Sequence, residues 1–295
     1  MTNSSPSSPS SPTVPSASSP PSSVLVTGGT GKTGRRVADV LQRRGFTAKV
    51  ASRSGAVRFD WTDRTTWAPA LSGVHAIYAV TSEDPGAFDD FRDFVAAATE
   101  GGVRRLVLLS ARVWEELDDG SGSVLATEQL VRDSGLEWTI LRPTWFAQNF
   151  TEFPYLAGPL SKGELRIPAG EGREPFVDLD DLAEVAVAAL TEEGHNGRTY
   201  ALSGPRAMTF GEAVAEIARA SGRDLRYVPV TEEEYRAEAI AAGEPEEVAE
   251  IFVELFRHIR EGRSEALSNG VREALDRDPA DFSAYTGRTD FSVLG

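Results

Sequence analysis

The amino-acid sequence predicts an α/β fold, a doubly wound parallel sheet with helices on both faces and a smaller C-terminal α/β part, and three observations predict it. Short aliphatic runs alternate with stretches of helical periodicity through the first half of the chain. The runs are apolar without alternation, as in strands buried on both faces. The first run breaks into a glycine-rich turn directly before the first helical stretch, the start expected of a βαβ unit.

Taken in order, Val24-Leu25-Val26 is a buried strand that stops at Thr27-Gly28-Gly29. Lys32 to Arg44 reads as a helix with Val37, Val40 and Leu41 on one face, and Gly45 stands where a C-cap glycine belongs. Phe46 to Ser52 is the next strand and Trp67 to Leu71 a short helix. His75 to Val80 reads as a strand, Phe88 to Thr99 as a helix ended by Gly101-Gly102, and Arg105 to Ser110 as a fully buried strand. Val124 to Ser134 is a helix stopped by Gly135, and Trp138 to Leu141 a strand closed by Arg142-Pro143. Residues 149–172 are rich in Gly and Pro, with a short strand near Leu165. An Ala/Val-rich helix then runs to Leu190, where Asp178 and Asp181 are read as caps. Arg198 to Leu202 and Arg226 to Val230 are strand-like. Thr209 and Glu212 form a capping box for a helix to Ala220. Glu232 to Arg260 is acidic and helical, broken near Gly243 to Pro245.

Composition narrows the function. The 295 residues carry a net charge of −15, against nucleic acid as a partner, since phosphate backbones need clustered Lys and Arg. There is no cysteine, so disulfides, thiolate metal sites and cysteine nucleophiles are out; the three histidines are scattered, and no metal site is expected. No apolar run is long enough to span a bilayer, so no membrane is expected. Residues 1–23 are Ser/Pro-rich, without charged side chains, and lack the basic start and apolar core of a secretory signal. They read as a disordered tail, and a cytoplasmic location is expected. Residues 24–150 then form a dinucleotide-binding domain, and 151–295 a substrate-binding part interleaved with it.

The turn Thr27-Gly28-Gly29-Thr30-Gly31-Lys32-Thr33-Gly34 carries glycines at 28, 31 and 34 between a strand and a helix. A tight turn, close backbone approach to a pyrophosphate and a helix starting against the strand all demand glycine, and the helix dipole faces the anion. A triphosphate loop would need an earlier glycine where Val26 stands. The turn therefore reads as a dinucleotide site. The second strand ends in Ser52-Arg53-Ser54, where an NAD site commonly has an acid for the ribose hydroxyls. A guanidinium flanked by hydroxyls suits a 2′-phosphate, by about 1.5–3 kcal/mol, so NADP is expected over NAD, with Arg35 as a second contributor. Asp60, beside Trp61, either accepts from the adenine amine or initiates a turn. Thr81, Ser110 and Pro143 follow strand ends and are expected near the nicotinamide. Trp145, Phe146, Asn149 and Phe150 are expected to line the substrate pocket, with core packing as the alternative for the three aromatic residues.

Several segments together resemble the NmrA-like atypical short-chain dehydrogenase family, closest in kind to the ergot alkaloid (festuclavine and agroclavine type) dehydrogenases. These are Thr27–Val37 (TGGTGKTGRRV), Val50–Ser54 (VASRS), Phe59-Asp60-Trp61, Leu108–Ala111 (LLSA) and Leu141–Phe150 (LRPTWFAQNF), with Phe176–Ala189 and Tyr285–Phe291 (YTGRTDF) matching in kind. The resemblance implies a Rossmann domain, NADPH-dependent reduction of a small substrate, and an iminium substrate in the ergot enzymes.

Typical short-chain dehydrogenases use a Tyr-x-x-x-Lys pair, and none exists here: the helix that would carry it has Ala126, Thr127 and Glu128. Glu128 itself reads as a structural carboxylate. Hydride addition to an iminium gives a neutral amine with no proton delivered, which suits the missing pair. The main reading is thus reduction of an imine, iminium or other activated double bond, as in secondary metabolism. The alternatives are an NADP-binding redox sensor without turnover, and an epimerase or dehydratase with a structural cofactor.

Overall fold

The computed structural model describes residues 23–82, 86–117 and 123–294. The tail expected over residues 1–23 lies outside the described residues, except Ser23, which opens the first strand.

The first half runs β1 (Ser23–Val26), α1 (Lys32–Arg43), β2 (Thr47–Ser52), β3 (Val57–Arg58), α2 (Trp67–Leu71), β4 (Val74–Ala79), α3 (Ala87–Glu100), β5 (Arg105–Leu109), α4 (Trp114–Leu117), α5 (Ser123–Arg132) and β6 (Glu137–Pro143). The second half continues α6 (Asn149–Glu152), α7 (Pro154–Ser161), β7 (Glu164–Ile167), β8 (Arg173–Glu174), α8 (Leu179–Thr191), β9 (Arg198–Leu202), β10 (Met208–Thr209), α9 (Phe210–Ser221), β11 (Arg226–Pro229), α10 (Glu232–Ala241), α11 (Glu246–Arg260), α12 (Gly270–Leu275) and α13 (Phe282–Arg288).

The main sheet has the order β3-β2-β1-β4-β5-β6-β9, and its pairings are parallel. The chain winds outward from β1 to β3 and then returns to lay β4 on the other side of β1. That reversal opens a crevice at the carboxyl ends of β1 and β4, the position where such sheets take ligands. Successive side chains alternate between two cores. Val24, Val26, Ala76, Tyr78, Val107 and Leu141 face the layer of α1 and α8, whereas Leu25, Ile77, Leu106, Leu108 and Ile140 face α2, α3 and α5. Burial of each large aliphatic side chain contributes about 1.5–3 kcal/mol, so the sheet is a stiff base for the loops at its edge.

A third core lies outside the sheet. Leu156 and Leu160 of α7, Leu165 and Ile167 of β7, Phe210 and Ile217 of α9, and Val253, Phe256 and Ile259 of α11 pack together in it, with Phe150 and Phe176. Two small sheets, β7 with β11 and β8 with β10, belong to this part. The second half of the chain is not confined to this part, because α8 and β9 return to the main sheet. No helix among the described residues is long and apolar enough to cross a membrane.

Candidate cofactor and substrate site

The glycine turn leaves β1 with Gly28 in the left-handed region, at φ 59°. Its carbonyl accepts from the Gly31 N–H at 2.8 Å, and the Gly29 N–H donates to the Ala51 carbonyl at 3.0 Å. A Cβ on Gly34 would run into the Gly28 carbonyl oxygen and sit 2.8 Å from the Gly29 Cα. The third glycine is therefore what lets α1 start against the strand. Gly29, outside the GxxGxxG spacing, is as constrained: its Cβ would meet Val50 Cγ1 at 2.7 Å and the Val26 carbonyl at 2.9 Å. Gly31 caps α1 without a side-chain hydrogen bond, so no side chain covers the N–H groups of the first turn.

The other residues of the turn divide by role. Thr30 is exposed at the crevice. Thr27 is fully buried; its hydroxyl accepts from the Val80 N–H at 2.8 Å and lies near the carbonyls of Tyr78 and Val80. It staples the end of β1 to that of β4. Thr33 is buried beside Tyr78. Lys32 leaves the phosphate turn altogether. Its Nζ donates to Asn149 Oδ1 at 2.8 Å and lies 4.6 Å from the Phe153 ring centroid and 5.7 Å from that of Phe146. Burial lowers its pKa from the usual lysine value, with Glu152 opposing.

At the end of β2, Arg53 and Ser54 are exposed, and Arg53 makes no hydrogen bond or close ion pair among the described residues. Ser52 is tucked inward: its Oγ is buried without a partner, and a Cβ on Gly55 would come within 2.5 Å of it. Arg35, expected to assist Arg53, instead pairs with Glu152 at 2.5 Å, beside Arg36 at 2.6 Å. Asp60 is a turn residue. Its Oδ1 accepts from the Thr62 N–H at 3.0 Å and hydroxyl at 2.9 Å, which holds the carboxyl below the usual range. Trp61 packs edge-on against Phe59 and Phe94, with centroids at 4.8 and 5.1 Å.

A cavity of about 230 Å³ opens at the carboxyl ends of β5 and β6. Ser110, Ala111 and Arg112 reach it from β5, and Pro143, Trp145, Phe146 and Asn149 from β6. Its outer wall is Phe252, Leu255 and His258 of α11 with Arg263 and Ser264. Thr81 is half-buried after β4 and is not part of this lining. Phe150 is not either: it is fully buried against Phe176, Phe210 and Phe282, so of its two expected roles it takes core packing. The Ser110 hydroxyl donates to Glu128 at 2.7 Å, and Glu128, 0% exposed, also pairs with Arg142 at 2.7 Å and Arg132 at 2.8 Å. Glu128 is a structural carboxylate holding the β5 and β6 ends together. Asp178 caps α8 by accepting from the Asp180 N–H, whereas Asp181 does not cap: it is buried and accepts from the Ala280 N–H at 2.6 Å and pairs with Arg277 at 2.7 Å.

Several cavity residues were missed from the sequence, among them Arg112, His258 and Ser264, and the most buried of the charged ones is Glu174. Glu174 is 1% exposed at the end of β8, and its Oε1 accepts from the Trp145 N–H at 3.1 Å. The segment is zipped to the loop after β6 by Thr144 Oγ1 to the Pro175 carbonyl at 2.7 Å, Val177 N–H to the Trp145 carbonyl at 2.9 Å and Ala147 N–H to the Val177 carbonyl at 2.9 Å. Burial pushes its carboxyl up to about 7, with the Trp145 N–H, the Arg112 charge and the Ser264 hydroxyl opposing. The sequence signal for it was an acid directly before the apolar run Pro175-Phe176-Val177.

Residues 28–193 match the family model described as NAD(P)H-binding. The chain belongs to this NAD(P)H-binding family. Among its relatives, a (4-alkanoyl-5-oxo-2,5-dihydrofuran-3-yl)methyl phosphate reductase from Streptomyces griseus is 38% identical, covering 89% of this chain and 96% of its own. The agroclavine dehydrogenase of Claviceps fusiformis is 29% identical over the same shares of the two chains, in keeping with the ergot-type resemblance. Among solved structures, the triphenylmethane reductase of Citrobacter complexed with NADP(H) superposes with a TM-score of 0.70 at 23% identity, covering 91% of this chain and 99% of that one, which shows the shared Rossmann-like fold. The protein is thus of the NAD(P)H-dependent oxidoreductase family.

Proposed function

We propose that this protein is an NADPH-dependent reductase delivering hydride to an activated double bond (an imine, an iminium or a C=C conjugated to a carbonyl) of a small substrate held in the cavity beside Trp145. The observation that carries this reading is the cavity itself. It sits at the carboxyl ends of β5 and β6, on the side of the sheet crevice toward which a dinucleotide bound at Gly28 to Gly34 extends its nicotinamide half. Its lining joins aromatic walls to a few polar groups, as small-molecule sites do. Among the described residues it holds no tyrosine or lysine, so an acceptor already polarised by its own substituents fits it better than a simple ketone. The Streptomyces relative is named as a reductase of a (4-alkanoyl-5-oxo-2,5-dihydrofuran-3-yl)methyl phosphate, and a conjugated acceptor of that kind is proposed for this chain.

NADPH is preferred over NADH through Arg53, exposed at the end of β2 and free to take a 2′-phosphate. The reading is tested by following NADPH oxidation with a panel of conjugated lactones, quinones and cyclic iminium ions. Tight NADPH binding without oxidation by any of them would refute the reductase reading and favour a sensor of cofactor state.

A further inference from the structure

We propose that the Glu174 carboxyl is the proton donor of the reduction, and that the site is built for a neutral acceptor, a C=C conjugated to a carbonyl, in preference to an iminium. The inference rests on the reductase reading and narrows its substrate class. Hydride addition to an iminium yields a neutral amine and asks the protein for no proton. Hydride addition to a neutral conjugated alkene yields an enolate, which does.

The geometry of Glu174 answers that need. One carboxyl oxygen is fixed by the Trp145 N–H at 3.1 Å, and the other, Oε2, is buried without a partner at hydrogen-bond distance, with the Ser264 side chain beside the carboxyl and both residues in the wall of the cavity. The nearby guanidinium of Arg112 donates to the carbonyl oxygens of Ala266, at 2.6 Å, and Ser264, so it is not spent on a salt bridge to this carboxyl. A buried carboxylate without such a partner is costly, and the group instead keeps a proton near neutral pH. Two other candidates are engaged elsewhere: Ser110 gives its hydrogen to Glu128, and Glu128 is held as a carboxylate by two arginines.

The step balances as follows. A reduced dinucleotide held at the glycine turn would supply the hydride, a hydrogen with its electron pair, that forms a C–H bond at the β-carbon of the acceptor. The C=C electrons move to the carbonyl oxygen, and the enolate takes the Glu174 proton at the α-carbon. The nicotinamide is oxidised, the alkene is reduced, and Glu174 is left as a carboxylate facing the Arg112 charge until water reprotonates it. The other charged or titratable groups lining the cavity are Arg112 from the loop after β5, His258 from α11 and Arg263 beyond it, and Lys32 reaches its rim through Asn149.

The test uses the full chain with NADPH and two probes, an acyl-substituted unsaturated lactone and an N-methylated cyclic iminium. Glu174→Gln is expected to lower kcat on the lactone by about 10²–10⁴-fold and turnover of the iminium far less, with NADPH binding kept within about 3-fold. In the unmodified protein, kcat on the lactone is expected to fall between about pH 6 and about pH 9, and that on the iminium to stay flat across that range. This pH comparison decides the matter if the variant does not fold. A wild type that reduces the lactone as fast at high pH as at low, or a folded variant that reduces it at the wild-type rate, overturns the role of Glu174 while leaving the reductase reading intact. NADPH binding without oxidation by either probe overturns both.

Discussion

Replacing Glu174 by Gln should make the folded protein more stable at alkaline pH and leave it unchanged at acid pH. In the native state burial raises the carboxyl from 4.5 to about 7, and the unfolded chain returns it to its ordinary value. Between those two values the native state holds a proton that the unfolded state has lost, so stability falls as pH rises through this window and then levels off. The fall over the whole window is about 3 kcal/mol, at about 1.4 kcal/mol per pH unit. Gln keeps the acceptor for the Trp145 N–H and cannot ionise, so the variant escapes this loss. Asp181, also raised by burial, contributes a fall of the same sign, but it is present in both proteins and cancels from the comparison. For a chain of this size the expected difference is a Tm gain of roughly 5–10 °C for the variant near pH 8.5, shrinking to nothing near pH 4.5. Thermal unfolding of both proteins across that range measures it. A Tm difference independent of pH would refute the argument that a buried carboxyl at 174 loses its proton in this window.

Three further substitutions probe the rest of the site. Arg53→Asp should weaken NADP⁺ binding by roughly ten- to a hundred-fold and leave NAD⁺ no weaker, read by titration of the two dinucleotides. Gly34→Ala drives a Cβ into the Gly28 carbonyl; it should cost about 1–3 kcal/mol in urea unfolding and remove the thermal stabilisation given by dinucleotide. Glu128→Ala strips the shared carboxylate from Arg142 and Arg132 at the ends of β5 and β6. It should cost about 3–5 kcal/mol and lower the urea midpoint accordingly.

Where the chain's structure is local, the sequence was readable. The first strand announced itself as an aliphatic run closed by a glycine turn, β5 as an unbroken apolar run and β6 as one closed by Arg-Pro, and the Thr209 and Glu212 capping box forms both of its bonds. Helices α6 and α7 were not visible, because Pro154, Gly158 and Pro159 break the helical signal there. Their order comes from burying Leu156 and Leu160 in the third core, a tertiary gain that overrides propensity. Within the site, glycines 28, 31 and 34 were legible from spacing alone. The demand on Gly29 was not, since it is set by Val50 on the neighbouring strand. Likewise Arg35 looked free for a phosphate until the fold brought Glu152 to it across 117 residues of chain.

The same distinction explains why the cofactor half of the site was easier to read than the chemical half. A phosphate turn binds through backbone N–H groups, and the backbone geometry it needs leaves a compact mark, glycines at fixed spacing between a strand and a helix. A proton donor needs only one carboxyl and a dry place to put it, and dryness is a property of the assembled molecule. Glu174 sits in a two-residue strand that no periodicity reveals, and what distinguishes it from the chain's other carboxylates is that Trp145, Pro143 and the α11 wall close around it. Glu128 shows the contrast within the same cavity region: equally buried, it is surrounded by two guanidiniums and a hydroxyl, which hold it ionised and structural. Two carboxyl groups flanking one site are thus driven to opposite protonation states by their partners. In such pairs the neutral member is the one able to give a proton.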